Sequence, residues 1–241
     1  MKGWPFLRER QVQLRDDEFP DFQEEIGCRR WAPLVTPMVK FDPEIVMEFY
    51  ANAWPTEEGA RYMRSWVRGQ WIPLTQTPSV SSFDEEAIAQ LLCTPVKDFA
   101  QTAVGRQVWI MRTSMTTLTQ IWMTLLLSNI LPSDHNSDLP LLKYQLVYAI
   151  LTQVSVHVAQ LISDTIYQFA GTVPTRHPMD SERSNRILGF PALIAGLCQF
   201  YGVPVATSKV IQPPITRAFI EKYCIPRQAQ GQAPQEPEED Q

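Results

Sequence analysis

Two long apolar segments, separated by a short polar connection, constrain the fold of this chain more than any other feature. The second segment, Leu141 to Phe169, has apolar residues at steps of three and four, which predicts a helix with one buried face. Its stripe comprises Val147, Leu151, Val154, Val158, Leu161 and Thr165. The first segment, Met115 to Leu131, suits an antiparallel partner, because a connection of about eight residues joins neighbouring helices. We therefore predict a mainly α fold built around a long central helical hairpin.

A small β-hairpin is predicted near residues 62 to 74. Two short apolar stretches, Trp66-Val67 and Trp71-Ile72, flank Arg68-Gly69, which suits a two-residue turn. Pro73 has no N–H to donate, so we expect the second strand to lie at the edge of its sheet.

Local signals mark the ends of several other helices. Asp42-Pro43-Glu44 is typical of a helix start, with a capping carboxylate, a proline at the first position and an acid in the first turn. Gly202, followed by Pro204, is typical of a helix end. A short helix is also predicted within Phe19 to Arg30, and we expect Arg29 and Arg30 to form its solvated end.

Composition divides the chain into three parts. We predict a loosely attached N-terminal arm over residues 1 to 24, a single helical domain over 25 to 227, and a disordered acidic tail over 228 to 241. The tail carries four acids and no base, so a formal net charge of −5 leaves about −1 for the rest. This balance argues against a mainly electrostatic nucleic-acid binder but permits local basic patches.

The sequence predicts an intracellular protein, in the nucleus or the cytoplasm. Its start lacks the apolar run of a signal peptide, and its uncharged windows are rich in Thr, Ser and Gln or broken by Pro and Gly. We therefore expect buried helices and no membrane span. The four cysteines form no CxxC pair, which argues against a zinc finger, and we expect neither a metal nor a cofactor.

Several short motifs occur in an order that resembles a known family. The motifs are Phe49-Tyr50-Ala51-Asn52, Val67-Arg68-Gly69-Gln70-Trp71-Ile72-Pro73-Leu74, Trp122, Leu131-Pro132-Ser133-Asp134-His135-Asn136-Ser137, and Gly189-Phe190-Pro191-Ala192-Leu193-Ile194 with Leu197-Cys198. Together they resemble the plant transposon protein domain family, found in retroelement-derived open reading frames of plant genomes. The resemblance covers residues 25 to 206. It implies a plant source and a transposon-linked origin, and it implies no established activity.

Two arrangements raise the question of catalysis. Ser133-Asp134-His135 has the residue types of a hydrolase triad, but three consecutive loop residues rarely reach its geometry. We instead expect Ser137 or Asp138 to cap the long helix, with Pro140 in its first turn.

A nuclease would need carboxylates converging on a divalent metal, whereas the acids of this sequence are scattered or cluster at a helix start. These acids are Asp84, Glu85, Glu86, Asp134, Asp138, Asp164 and Asp180. His157 is interpreted as a hydrogen-bonded histidine, not as a metal ligand.

The candidate nucleic-acid site is an Arg–Trp ribbon around the predicted hairpin. It comprises Arg61, Arg64 and Arg68 with Trp66 and Trp71. Cations interleaved with aromatic rings can contact phosphates and stack on bases. The alternative is that the tryptophans pack inward and the arginines are solvated. We favour this alternative and expect at least one tryptophan to pack on the helical body, because a short hairpin this apolar needs a cover.

Three functions follow from these observations. The first is a non-enzymatic, transposon-derived binding or structural module that self-associates. The second is a nucleic-acid-binding module of retroelement origin, and the third is a metal-dependent nuclease. A concentration-dependent oligomer would support the first, salt-sensitive nucleic-acid binding the second, and metal-dependent cleavage the third. The sequence identifies no specific ligand or partner.

Overall fold

The fold is mainly α, as predicted. The computed structural model describes residues 6–55, 62–75, 85–95, 97, 100–101, 107–171 and 187–226. About half of these residues are helical. Their α-helices are α1 (Pro20–Cys28), α2 (Ala32–Val35), α3 (Pro43–Asn52), α4 (Glu85–Leu92), α5 (Thr117–Leu125), α6 (Leu141–Leu151), α7 (Val158–Gly171), α8 (Pro191–Phe200) and α9 (Arg217–Tyr223). A 3₁₀ turn at Arg112–Ser114 precedes α5, and a π-helix at Leu126–Ile130 continues it.

Short strands connect distant parts of the chain. They are β1 (Phe6–Leu7), β2 (Arg10–Val12), β3 (Lys40–Phe41), β4 (Trp54–Pro55), β5 (Tyr62–Val67), β6 (Gln70–Thr75), β7 (Ala100–Gln101), β8 (Gln107–Met111), β9 (Asp138–Pro140), β10 (Leu188–Gly189), β11 (Lys209–Val210) and β12 (Gln212–Ile215). Two antiparallel sheets have the strand orders β4-β5-β6 and β7-β8-β9. The pairs β1-β10 and β2-β12 are parallel, and β3-β11 is antiparallel.

The local helix signals in the sequence are confirmed. The Asp42 carboxylate accepts hydrogen bonds from the backbone N–H groups of Glu44 and Ile45, and Pro43 is the first residue of α3. Gly202 follows the end of α8 with φ of +83°, a left-handed conformation that favours glycine.

Aromatic side chains fill much of the core. Trp122 of α5 is fully buried, and the centroid of its ring lies 4.6 Å from the ring centroid of Phe22 in α1. In another part of the core, the Tyr50 hydroxyl donates to the Gly189 carbonyl at 3.0 Å. A Cβ added at Gly189 would lie 2.5 Å from the Phe169 ring, so only glycine allows this close packing.

The single long helix predicted over Leu141 to Phe169 is wrong. α6 ends at Leu151, and Gln153 adopts a left-handed conformation with φ of 58°. The N–H groups of Gln153 and Val154 then donate to the carbonyls of Ile150 and Ala149, which is the Schellman arrangement that terminates helices. α7 starts again at Val158. The long central hairpin is therefore not confirmed.

Arg29 is part of this helix end, and the expectation that it is solvated is wrong. Its guanidinium forms an ion pair with Glu25 and donates to the carbonyls of Ile150 at 3.1 Å and Val154 at 3.0 Å. The last carbonyls of a helix lack partners within the helix and attract a cation. The side chain of Arg29, the residue that follows α1, therefore stabilises the end of α6.

The N-terminal segment is held by specific contacts with the helical domain, whereas its composition suggested a loose attachment. Between β1 and β2, the Glu9 side chain is buried, and its carboxylate accepts hydrogen bonds from the N–H groups of Ala192 and Leu193 at the start of α8. Asn129, in the π-helix, accepts from the Arg10 N–H at 3.0 Å and donates to the Arg10 carbonyl at 2.8 Å. The segment thus contacts two distant elements at once.

The proposed division into arm, domain and acidic tail stays a prediction, and residues 228–241 lie outside the described residues. Among the residues that the structure describes, no helix has the length and apolarity needed to cross a bilayer. α7 has 14 residues, whereas a membrane span needs about 20.

Candidate functional site

The predicted hairpin is confirmed and is packed on α3. β5 and β6 are joined by Arg68-Gly69, with φ of 44° and 86°, as a two-residue hairpin turn requires. β6 is an edge strand of its sheet, as predicted from Pro73. Ser65, Val67 and Ile72 are fully buried, and the Ser65 hydroxyl donates to the Phe49 carbonyl of α3 at 2.6 Å. These contacts fix which face of the hairpin is turned toward the helices.

Both hairpin tryptophans lie on the outer face, so the expectation that one of them packs on the helical body is wrong. Trp66 and Trp71 are opposite each other in the register and are 42% and 48% exposed. Their ring centroids are 4.9 Å apart in an edge-to-face arrangement. The reason is the alternation of strand side chains: Ser65 and Val67 face α3, so their neighbour Trp66 faces away.

One arginine of the Arg–Trp ribbon belongs to this outer face. The Arg64 guanidinium lies over the Trp71 ring, 4.3 Å from its centroid, which is cation–π geometry. Arg61 lies outside the described residues. The structure thus brings Arg64, Trp66 and Trp71 together, and we call these three residues the outer hairpin face.

Arg68 is directed elsewhere. Its backbone N–H donates to the Glu48 carboxylate at 2.8 Å. Its guanidinium lies 3.6 Å from the Glu44 carboxylate and 3.8 Å from those of Asp42 and Glu48. Three acids around the start and middle of α3 therefore neutralise this cation, and it adds no free charge to the outer hairpin face.

The Ser133-Asp134-His135 segment does not form a catalytic triad. His135 Nε2 lies 2.9 Å from Asp138 Oδ2 and 3.1 Å from Ser137 Oγ. A triad needs the acid and the nucleophile on different ring nitrogens, whereas here both contact the same one. The expected cap by Ser137 or Asp138 is also wrong, because Asp138 lies in β9 and α6 begins at Leu141 without a side-chain cap.

Metal ligands do not converge in the part of the chain that the structure describes. No group of three or more His, Cys, Asp or Glu residues there is placed to hold a metal ion. All four cysteines are free thiols. His157 is exposed, and its carbonyl accepts hydrogen bonds from the N–H groups of Gln160 and Leu161 at the start of α7.

Two cavities are prominent among the described residues. One, of about 660 Å³, lies between α2, α7 and α8, and Pro73 of β6 forms part of its edge, so it adjoins the hairpin. The other, of about 460 Å³, is lined by Arg10 and Arg112. No local sequence pattern marks either arginine, because they lie far apart in the chain.

Comparison with known proteins identifies the family. No curated protein and no solved structure matches the chain. A family model described as "Putative plant retrotransposon-related domain" matches residues 28–204, a range that includes the hairpin, α3 and α8. The match agrees with the resemblance found in the sequence motifs. Because it spans well over half of the sequence, the chain belongs to this family of plant retrotransposon-related domains.

Proposed function

We propose that this chain is a non-enzymatic nucleic-acid-binding module of retroelement origin, which contacts single-stranded nucleic acid through the outer hairpin face. The observation that carries the proposal is the pair of half-exposed tryptophans with a guanidinium over one ring. The family supplies the transposon-linked origin, and the geometry of the hairpin supports the binding role.

The chemistry of the outer hairpin face suits unpaired bases. Aromatic side chains stack on bases of any sequence, and a nearby arginine contributes cation–π and phosphate contacts. Base pairing and base stacking in a duplex keep the base faces inaccessible, so this face favours single strands. With Arg68 neutralised by its acidic neighbours, binding depends on local stacking more than on overall charge.

Self-association through the same face is the alternative. A stable dimer buries about 800 Å² on each partner. Even a fully buried aromatic side chain supplies only about 150–250 Å². Trp66 and Trp71, which are already half buried, therefore fall well short of that area. The cation over Trp71 also gives the face a contact suited to phosphate, and for these two reasons we favour nucleic acid.

The proposal is tested by fluorescence anisotropy with a labelled single-stranded oligonucleotide and the full chain. We expect Trp66→Ala and Trp71→Ala each to weaken binding about tenfold or more, because one base stack contributes about 1–3 kcal/mol. Phe200→Ala is the matched control. Phe200 is 81% exposed and forms an edge-to-face pair with Tyr201. The Phe200→Ala substitution therefore removes an exposed aromatic ring from a different surface.

A second pair of variants separates the local contribution of the Arg64 cation from the effect of net charge. Arg64→Gln should weaken binding, whereas Arg68→Gln, with the same change in net charge, should leave it unchanged because that guanidinium already contacts three carboxylates. Equal affinity of the Trp66→Ala, Trp71→Ala and wild-type proteins for the oligonucleotide would refute the proposal. A concentration-dependent dimer that the tryptophan variants abolish, without nucleic-acid binding, would establish self-association instead.

A further inference from the structure

The second cavity is assembled from distant segments of the chain. Its volume is about 460 Å³, and its lining comes from β2, the 3₁₀ turn, α5, the π-helix, the loop before β9, β12 and α9. Arg10 and Arg112 contribute the cations. No Asp or Glu is among the described residues that line it.

Arg10 and Arg112 differ from most of the other arginines among the described residues. Arg15, Arg29, Arg68 and Arg217 each form an ion pair with at least one carboxylate. Within the described residues, neither Arg10 nor Arg112 has such a partner, although both are partly buried. Partial burial of a cation without a counter-charge has a desolvation free-energy cost. An anion bound in the cavity would offset this cost for both arginines.

Backbone and aromatic contacts hold both guanidinium groups in place. Arg10 Nη1 donates to the Pro213 carbonyl at 2.6 Å, and the group lies over the Phe219 ring, 4.9 Å from its centroid. Arg112 Nη2 donates to the Tyr223 carbonyl at 3.2 Å and lies 3.3 Å from Thr124 Oγ1. Positioned guanidinium groups lose little side-chain entropy when they bind a ligand.

The two cations also repel each other. Burial lowers the pKa of Arg10, and the positive charges of Arg112 and Arg8 lower it further. A ligand with two or more negative charges would remove this repulsion while accepting hydrogen bonds from both groups.

Hydroxyl groups add hydrogen-bond donors to the cavity. Ser128, in the π-helix, lines the cavity and is only 8% exposed, and its hydroxyl has no hydrogen-bond partner among the described residues. Ser133 Oγ accepts from the His135 N–H, which leaves its own hydrogen free to donate. π-Helices occur frequently at functional sites, and here the π-helix places a hydroxyl group in the same cavity as two arginines that have no carboxylate partner among the described residues.

We propose that this cavity binds a phosphate group, either as inorganic phosphate or pyrophosphate or as the terminal phosphate of a nucleotide. Arginine pairs suit this ligand because a planar guanidinium donates two parallel hydrogen bonds to phosphate oxygens. The cavity uses none of the outer hairpin face, so the inference does not depend on the proposed nucleic-acid function. It also assigns a role to β2 and α9, which lie outside the matched family range.

The test is a thermal-unfolding titration of the full chain at constant ionic strength with phosphate, pyrophosphate, AMP and adenosine. A ligand that binds only the folded state raises Tm. We expect phosphate, pyrophosphate and AMP to raise Tm and adenosine to have no effect. An AMP effect no larger than that of inorganic phosphate would identify the phosphate group alone as the ligand. A larger AMP effect would identify a nucleotide site.

Variants then connect the binding to the two cations. Arg10→Gln and Arg112→Lys should each weaken pyrophosphate binding about tenfold or more. Arg10→Gln loses the charge-assisted hydrogen bonds, and Arg112→Lys keeps the charge but loses the planar guanidinium that donates two parallel hydrogen bonds. Arg217→Gln is the matched control: this arginine lies in α9, is exposed and is paired with Glu221, and it does not line the cavity. Trp71→Ala should also leave pyrophosphate binding unchanged.

Arg10→Gln decides the outcome if Arg112 variants fold poorly. The unliganded Tm of Arg10→Gln should remain close to that of the wild type, because relief of the repulsion from Arg112 and Arg8 offsets the loss of the Pro213 and Phe219 contacts. Absence of any Tm rise with millimolar pyrophosphate in the wild type would overturn the proposal. A rise that persists in Arg10→Gln, or an equal rise with adenosine, would also overturn it.

Discussion

Glu9 is the residue whose chemistry depends most on the fold. Its carboxylate is buried and accepts three hydrogen bonds from the N–H groups of Ala192 and Leu193, at distances of 2.9 to 3.1 Å. Burial raises its pKa from 4.5 to about 7, and the backbone hydrogen bonds oppose part of that rise. The folded state therefore holds the Glu9 proton more tightly than the unfolded state does.

This difference predicts how stability depends on pH. The contribution of Glu9 to the free energy of unfolding is fully present below pH 4.5 and is lost as pH rises through about 7. The loss should be about 3 kcal/mol, since a pKa difference of one corresponds to about 1.4 kcal/mol. We expect Glu9→Gln to lack this dependence. Urea unfolding of both proteins at pH 5 and pH 8 measures it, and an identical change in unfolding free energy in both would contradict the assignment.

At the scale of elements, the break between α6 and α7 separates residues that the helical period groups together. The stripe predicted both Val147 and Val154 to be buried, but Val147 is fully buried whereas Val154 is 38% exposed. Val154 is exposed because the Schellman arrangement and the Arg29 contacts end α6 before it.

The break predicts different costs for two neighbouring truncations. Ile150→Ala removes a fully buried side chain and should lower the unfolding free energy by about 2–5 kcal/mol. Val154→Ala should change it by no more than about 0.5 kcal/mol, as at an exposed site. Denaturant unfolding measures both values. A cost for Val154→Ala comparable to that for Ile150→Ala would show that the helix is continuous.

At the scale of the whole molecule, the N-terminal segment joins elements that are distant in sequence. β1 pairs with β10, β2 pairs with β12, and Arg10 is held by Asn129 of the π-helix. Deleting residues 1 to 12 should therefore lower Tm by about 10 °C, because the loss of several kcal/mol shifts the Tm of a chain this size by that much. Deleting 228 to 241 should leave Tm within about two degrees, as expected from the composition of that segment. Calorimetry of both shortened chains tests the contrast, and equal Tm values for the two would contradict it.

Features that depend only on neighbouring residues can be predicted from the sequence. The cap at Asp42, the turn at Arg68-Gly69 and the helix end at Gly202 each require only the conformational preferences of a few adjacent residues. The mainly α class and the family could also be predicted from the sequence. These features are predictable because their physical causes are local.

Which surfaces are exposed, and which distant residues come into contact, depends on how the elements pack against each other. The end of α6 depends on Arg29, which follows α1, and no glycine or proline marks this helix end in the sequence. Alternation in β5 shows two faces but does not say which one packs on α3, so the outward position of Trp66 was predicted incorrectly. Arg10 and Arg112 share a cavity because separate segments fold against each other. Long-range packing and charge act between residues that sequence order does not bring together. For that reason the cavity of Arg10 and Arg112 became visible only in the folded chain, whereas the sequence had already indicated the residues of the outer hairpin face.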